Sequence, residues 1–213
     1  MPIPRQQNIV GYWKGNLDEN GLLHDFSSGA NHGTLVSAPP QIKTPYGSAL
    51  DYDGSADYIE LNDNHDFTAD YTISSVVKVN VGTGGTRGIF SKAVNLNTDG
   101  EYQLIITSGG VLSLEFNGGN LADPSSFSEG EWKVVTITRG TVSVLYIDGK
   151  IVSTTSSSIP VANTTYKARI GAARNTAGLF PGIIAHTIIW NIALNPNEVL
   201  DNYNEMERLK ARK

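Results

Sequence analysis

The chain has 213 residues, 39% hydrophobic and 17% charged, with no cysteine, four histidines scattered along it and a formal net charge of −5. That length suffices for one domain with a real core and no covalent staples. The lack of cysteine excludes disulfides, thiolate metal sites and cysteine nucleophiles, and the acidic balance argues against nucleic acid as a main partner, because phosphate binding needs a basic face.

Residues 1–8 read as an N-terminal arm. The opening MPIPRQQNIVGYW has no long apolar run, so it is neither a secretory signal nor a membrane anchor, and the expectation is cytoplasmic synthesis without membrane insertion. Short β-rich runs separated by turn signals follow at 48–52, 57–61, 71–79, 87–91, 101–107, 111–116, 131–138, 141–147, 150–153, 168–173 and 182–190. The runs 141–147 and 150–153 meet across Asp148-Gly149, a pair suited to the positive φ values of a two-residue hairpin turn.

The run GIIAHTIIW at 182–190 carries His186 among apolar residues. Strict alternation puts Ile184, His186, Ile188 and Trp190 on one face and Ala185, Thr187 and Ile189 on the other. Both faces are largely apolar, so the strand is expected to be covered on both sides, by the C-terminal helix or by another protein, with His186 hydrogen-bonded inside.

One helix is expected, within 195–213. Asn195 is its cap, Pro196 its first residue, Glu198 completes a capping box, and Leu194 and Val199 form the staple. Val199, Tyr203, Met206 and Leu209 make an apolar stripe. Arg208, Lys210, Arg212 and Lys213 put positive charge at the negative end of the helix dipole, or form a tail that docks on an acidic neighbour.

LHDFSSGANHGTL (23–35), GSALDYDGSADYIEL (47–61), YTISSVVKV (71–79), EGEWKVVTITRG (129–140), LYIDGKIV (145–152), RIGAAR (169–174) and FPGIIAHTIIWNIALNPNEV (180–199) together resemble the concanavalin A-like, laminin G-like jelly rolls. The resemblance spans roughly residues 9–203. It implies an all-β, two-sheet antiparallel sandwich over 9–194, with Trp132 and the Asp148-Gly149 hairpin as core and turn markers, followed by the C-terminal helix. It does not by itself imply function, since the fold hosts hydrolases, lectins, adhesion modules and structural subunits.

Catalysis is not expected. Hydrolases of this fold use paired carboxylates on one strand face, and the family's Glu-x-Asp-x-x-Glu arrangement is absent; Glu101, Glu115, Glu129 and Glu131 stand singly or in turns. No Gly-x-Ser-x-Gly elbow occurs. No cofactor is expected. Calcium is the metal weighed, because Asp51, Asp53, Asp57 and Asp63 offer hard oxygen ligands and family members often bind calcium near the sandwich rim; Asp53 and Asp57 are the candidates, with turn formation as the competing role. Against calcium, Ala185-His186 stands where the family commonly has Asp-Glu.

Two functions compete. The first is a non-catalytic structural or interaction protein on the surface of a virus particle, such as a head decoration or tail-associated protein, with protein neighbours or further copies of itself as partners. Its interface candidates are Ile188, Ile192, Arg208, Lys210 and Arg212. The alternative is a lectin or adhesion module for cell-surface glycans. Trp13, Trp132 and Trp190 fall at strand positions that match the family and are expected to be core, so its candidates are loop residues: Arg87, Asn117, Asn120, Arg174 and Asn175.

Overall fold

A computed structural model describes residues 2–62, 70–94, 96, 101–116, 119–155 and 166–211. Along the chain the strands are β1 (Ile9–Leu17), β2 (Leu23–Asp25), β3 (Thr34–Val36), β4 (Gln41–Thr44), β5 (Gly47–Asp53), β6 (Tyr58–Glu60), β7 (Tyr71–Val79) and β8 (Arg87–Lys92). They continue as β9 (Tyr102–Ile106), β10 (Leu112–Phe116), β11 (Gly119–Ala122), β12 (Trp132–Arg139), β13 (Ser143–Ile147), β14 (Lys150–Thr155), β15 (Arg169–Ile170) and β16 (Pro181–Trp190), and the chain ends in helix α1 (Pro196–Lys210).

The strands form two antiparallel sheets. One follows the order β14-β13-β12-β7-β16-β1-β2, with β5 paired to β16 and β4 to β5; the other runs β11-β10-β9-β8-β15-β6-β3. This is the expected jelly-roll sandwich. The Asp53–Asp57 turn carries the chain from one sheet to the other, so β5 and β6 flank a corner. The Asp148-Gly149 turn takes the expected positive φ values, 52° and 73°, and closes β13 onto β14.

Apolar residues fill two layers. Between the sheets lie Trp13, Ile73, Val77, Phe90, Leu104, Leu114, Val135, Ile170 and Ile189. A second layer covers the outer face of the larger sheet and includes Tyr46, Val76, Val134, Ile188, Trp190, Leu194, Val199 and Met206. Helix α1 lies over this face, and the sheet is built to receive it: Asn202 Nδ2 donates to Ser74 Oγ at 3.0 Å, and Thr72 Oγ1 accepts from the Leu194 amide at 2.9 Å. Small hydroxyl residues on the outward side of β7 thus bond the helix and its lead-in. The cap forms as expected: the Asn195 side chain accepts from the Asn197 and Glu198 amides, and Glu198 returns a bond to the Asn195 amide. Among the described residues, no helix is long and apolar enough to cross a membrane.

Two expectations are corrected here. Ile188 is buried beneath the chain's own helix layer, so it offers nothing to a neighbour. Strict alternation also fails on β16, where a bulge between Ile184 and His186 turns Ile184 inward and Ala185 outward.

His186 is buried as expected. Its Nε2–H donates to the Tyr46 carbonyl at 2.9 Å and its Nδ1 faces the Tyr12 hydroxyl at 3.3 Å, which sets the neutral ring's proton on Nε2. Burial, opposed by the Tyr46 bond and reinforced by Lys14, pushes its pKa from 6.5 down to about 4. The unfolded chain therefore takes up a proton that the native chain refuses as pH falls from 6.5 towards 4, and stability drops across that window by about 2–3 kcal/mol before levelling off. Urea denaturation from pH 7 to 4 measures this, and His186→Gln is expected to flatten the profile by a similar amount.

Candidate functional site

The edge of the larger sheet at β2 gathers the groups with the most accessible chemistry. Leu23 and Gly33 exchange two backbone hydrogen bonds, at 2.8 and 2.9 Å, as an antiparallel bridge. The flanking residues His24 and His32 then face each other, with ring centroids 4.8 Å apart. Two residues after His24, on the same side of the extended chain, Phe26 packs its ring edge-on to His24 at 4.5 Å and remains 43% exposed. Lys14 on β1 places its ammonium 3.8 Å from the Phe26 ring centre, and partial burial lowers the pKa of that amine.

The β1–β2 turn supplies the acid. Asp18 Oδ1 accepts from the Leu22 amide at 2.9 Å and the Asn20 amide at 2.8 Å. The Leu22 bond is the larger influence holding its carboxyl below the usual carboxylate range, with the Asn20 bond and the two imidazoles acting in the same direction. Asn16, Asp18, Glu19, Asn20, His24 and His32 line an open groove of about 650 Å³, with Phe26 and Leu17 on its apolar side.

One carboxylate anchors the loop that shapes this groove. Asp25 points inward and is 3% exposed. Its Oδ1 accepts from the amides of Tyr12 and Ser27, and its Oδ2 from the Ser27 hydroxyl and the Asn31 amide, all at 2.8 Å. Asn31 in turn accepts the Trp13 indole N–H through its carbonyl at 3.0 Å, tying the loop to the core.

The loop residues expected to hold a glycan disperse. Arg87 is 2% exposed, paired with Glu129 and facing the Thr107 carbonyl at 3.4 Å, so it is a buried clamp on the 82–88 loop and is corrected from binding candidate to structural residue. Asn120 is exposed on β11 opposite Glu115, and Arg174 is exposed in a short turn whose amide donates to Gln103 Oε1 at 2.8 Å. Gln103 Nε2 donates to Glu115 Oε2 at 2.7 Å, so Arg174 and Asn120 lie at the two ends of one polar row. Asn175 belongs to the same turn, its side chain outside the described residues, as are Asn117, Asp63 and Arg212.

Asp53 Oδ1 accepts three amides of its own turn, and the Asp53 amide donates to Asp57 Oδ2 at 3.1 Å. This is the turn-forming role weighed against calcium. Ile192 packs at the margin of the outer apolar layer. Arg208 and Lys210 are drawn to Glu205 and Glu207 on their own helix.

The groove itself is not an expectation of the sequence reading. Two of the four scattered histidines meet there, and the exposed aromatic is a phenylalanine, not one of the three tryptophans. The alternation His24-x-Phe26 in LHDFSSGANH is the signal that points to it.

The family model described as the concanavalin A-like lectin/glucanases superfamily, of laminin G type, matches residues 53–200. No curated protein sequence matches the chain. Among solved structures, domain 4 of the arabinanase AbnA from Geobacillus stearothermophilus, in complex with arabinotriose, is similar with a TM-score of 0.74 and 18% identity, over 92% of this chain and 98% of that one. A Trypanosoma rangeli sialidase in complex with sialic acid gives 0.72 and 12%, over 98% of this chain and 34% of that one. The binding domain of botulinum neurotoxin DC, in complex with SialylT, gives 0.68 and 14%, over 94% of this chain and 52% of that one. The present chain thus spans a third of the sialidase and about half of the toxin domain. At these identities the likeness is one of fold.

Proposed function

The chain belongs to the concanavalin A-like lectin/glucanase superfamily, and from that premise we propose that it is a non-catalytic carbohydrate-binding module whose site is the Phe26 groove. The observation that carries this reading is an exposed aromatic ring set beside convergent hydroxyl-binding groups: Asn16, Asn20, Asp18 and the two imidazoles. A pyranose has an apolar face for the ring and hydroxyls for the amides and carboxylate. Structural neighbours that carry arabinotriose, sialic acid and SialylT support the ligand class. The carboxylates of Asp18 and Glu19 oppose anionic sugars, so the proposed ligands are neutral oligosaccharides.

A glycan array probed with the purified chain is expected to show binding to neutral oligosaccharides and little to sialylated ones. Phe26→Ala is expected to weaken that binding roughly five- to tenfold, from loss of about 1 kcal/mol of apolar contact, while leaving stability within about 0.5 kcal/mol. Binding unchanged in Phe26→Ala but lost in Asn120→Ala or Arg174→Ala would move the site to the polar row. Failure to bind any glycan would sink the function.

Two of the observations behind the virus-particle reading, an apolar strand face and terminal arms held in place, point to a neighbour. The chain supplies both itself: α1 covers the β16 face, and the arm docks through Ile3 in the outer layer and Pro4, whose carbonyl accepts from Trp190 Nε1 at 3.0 Å. Those two observations therefore do not call for a neighbour.

A further inference from the structure

We propose that Asp18, His24 and His32 form a binding site for a divalent transition metal ion, with Zn²⁺ as the fitting class. The donor atoms of the three side chains, each partly buried, lie within 4.8 Å of one another. Two imidazoles and one carboxylate are a borderline-soft donor set that suits zinc and its neighbours; calcium takes six to eight oxygens and finds a single carboxylate here.

The backbone pre-positions the set. The Leu23–Gly33 bridge fixes both histidines, and the Leu22 and Asn20 amides fix Asp18 through Oδ1, leaving Oδ2 as the oxygen to be offered. Zinc bonds of about 2.1 Å put tetrahedral donors about 3.4 Å apart, so loading draws the side chains together by roughly an ångström, within the reach of χ rotation. Three protein donors leave a coordination position open towards the groove, where a water or a ligand hydroxyl completes the sphere.

Loading has one obligatory consequence. His32 Nδ1 accepts the Asp25 amide proton at 3.1 Å, and a neutral imidazole has a single lone pair on nitrogen. A metal on Nδ1 takes that lone pair, and a metal on Nε2 forces the proton onto Nδ1. In either case the Asp25 N–H loses its acceptor.

The test is a titration of the full chain with ZnCl₂ alone, followed by calorimetry and by amide NMR, with CaCl₂ as comparison. No sugar is present, so its outcome is independent of the glycan reading. The expected result is saturable binding of one ion per chain, a selective shift of the Asp25 amide, no competition by calcium, and weakening by about tenfold or more in both His24→Gln and Asp18→Asn. Asp18→Asn keeps the oxygen that accepts the Leu22 and Asn20 amides, so it remains informative if His24→Gln misfolds. Absence of saturable binding, or binding unaffected by Asp18→Asn with the Asp25 amide unmoved, overturns the proposal.

Discussion

Trp190→Ala is expected to lower the stability of the fold by about 4 kcal/mol and to release the N-terminal arm from the sheet. Trp190 is the last residue of β16 and is fully buried in the outer apolar layer with Ile188, Leu194 and Val199. Truncation leaves a cavity the size of an indole between a sheet held by its ladder and a helix held by its cap, and neither can collapse far to fill it. The indole N–H is also the buried link to the arm through Pro4. Ile3 in the outer layer and Asn8, whose carbonyl accepts the Asn191 amide at 3.0 Å, also tie the arm, whereas the link between Arg5 and Glu198 joins an Arg5 side chain that is 51% exposed and is worth under about 1 kcal/mol. Trp190→Phe keeps most of the packing and loses the hydrogen bond, so it is expected to cost about 1–2 kcal/mol, and Arg5→Ala less. Urea denaturation gives the stabilities, and hydrogen exchange of residues 5–9 reports the arm. An arm that stays protected in Trp190→Ala would show that the indole does not hold it.

The elements that sequence anticipates well are those whose signal is local. The β7 run at 71–79 and the Asn195 capping box are written in neighbouring residues, and the structure places both as expected. Strands β2, β3 and β4 have three or four residues each, too few to show a period; β2 and β4 are fixed by pairing with the adjacent β1 and β5, and β3 by pairing with β6, more than twenty residues on. The bulge on β16 is similarly invisible: one extra residue exchanges Ile184 and Ala185 between faces without leaving a mark in an apolar run. A two-sided apolar strand signals that something covers it, but the choice between the chain's own helix and a neighbour depends on where α1 docks. Arg87 misleads for the same reason, since an arginine in a glycine-rich loop reads as exposed until Glu129, forty-two positions away, is brought against it. The candidate groove is legible in part: His24 and Phe26 share a face by alternation, but His32 and Asp18 join them only through the Leu23–Gly33 bridge and the β1–β2 turn.

Asp25→Asn is expected to cost about 3–4 kcal/mol and to abolish binding in the groove, although the Asp25 side chain does not line it. Four donors converge on its two oxygens: three backbone N–H groups and one hydroxyl. An amide of the same shape keeps one oxygen and turns two N–H donors towards groups that also donate. If the NH₂ replaces Oδ1, it faces the Tyr12 and Ser27 amides; if it replaces Oδ2, it faces the Asn31 amide, and the Ser27 hydroxyl can turn to accept. Either orientation leaves at least one buried backbone N–H without an acceptor, next to bonds that have lost the strength given by a full negative charge. Residues 26–33 are clipped to β1 by this carboxylate, and with the clip weakened, Phe26 and His32 no longer hold fixed positions about His24. Ser27→Ala is the control: it removes the hydroxyl donor to Asp25 and the acceptor of the exposed Gly29 amide, which water can replace, and leaves the three amides bonded to Asp25, so it is expected to cost about 1 kcal/mol and to leave glycan binding within about twofold. Chemical denaturation and binding measured on the same preparations separate the two effects. If Asp25→Asn stays within about 1 kcal/mol of the parent chain and binds as well, the groove is held by its strands alone and the carboxylate is not its anchor.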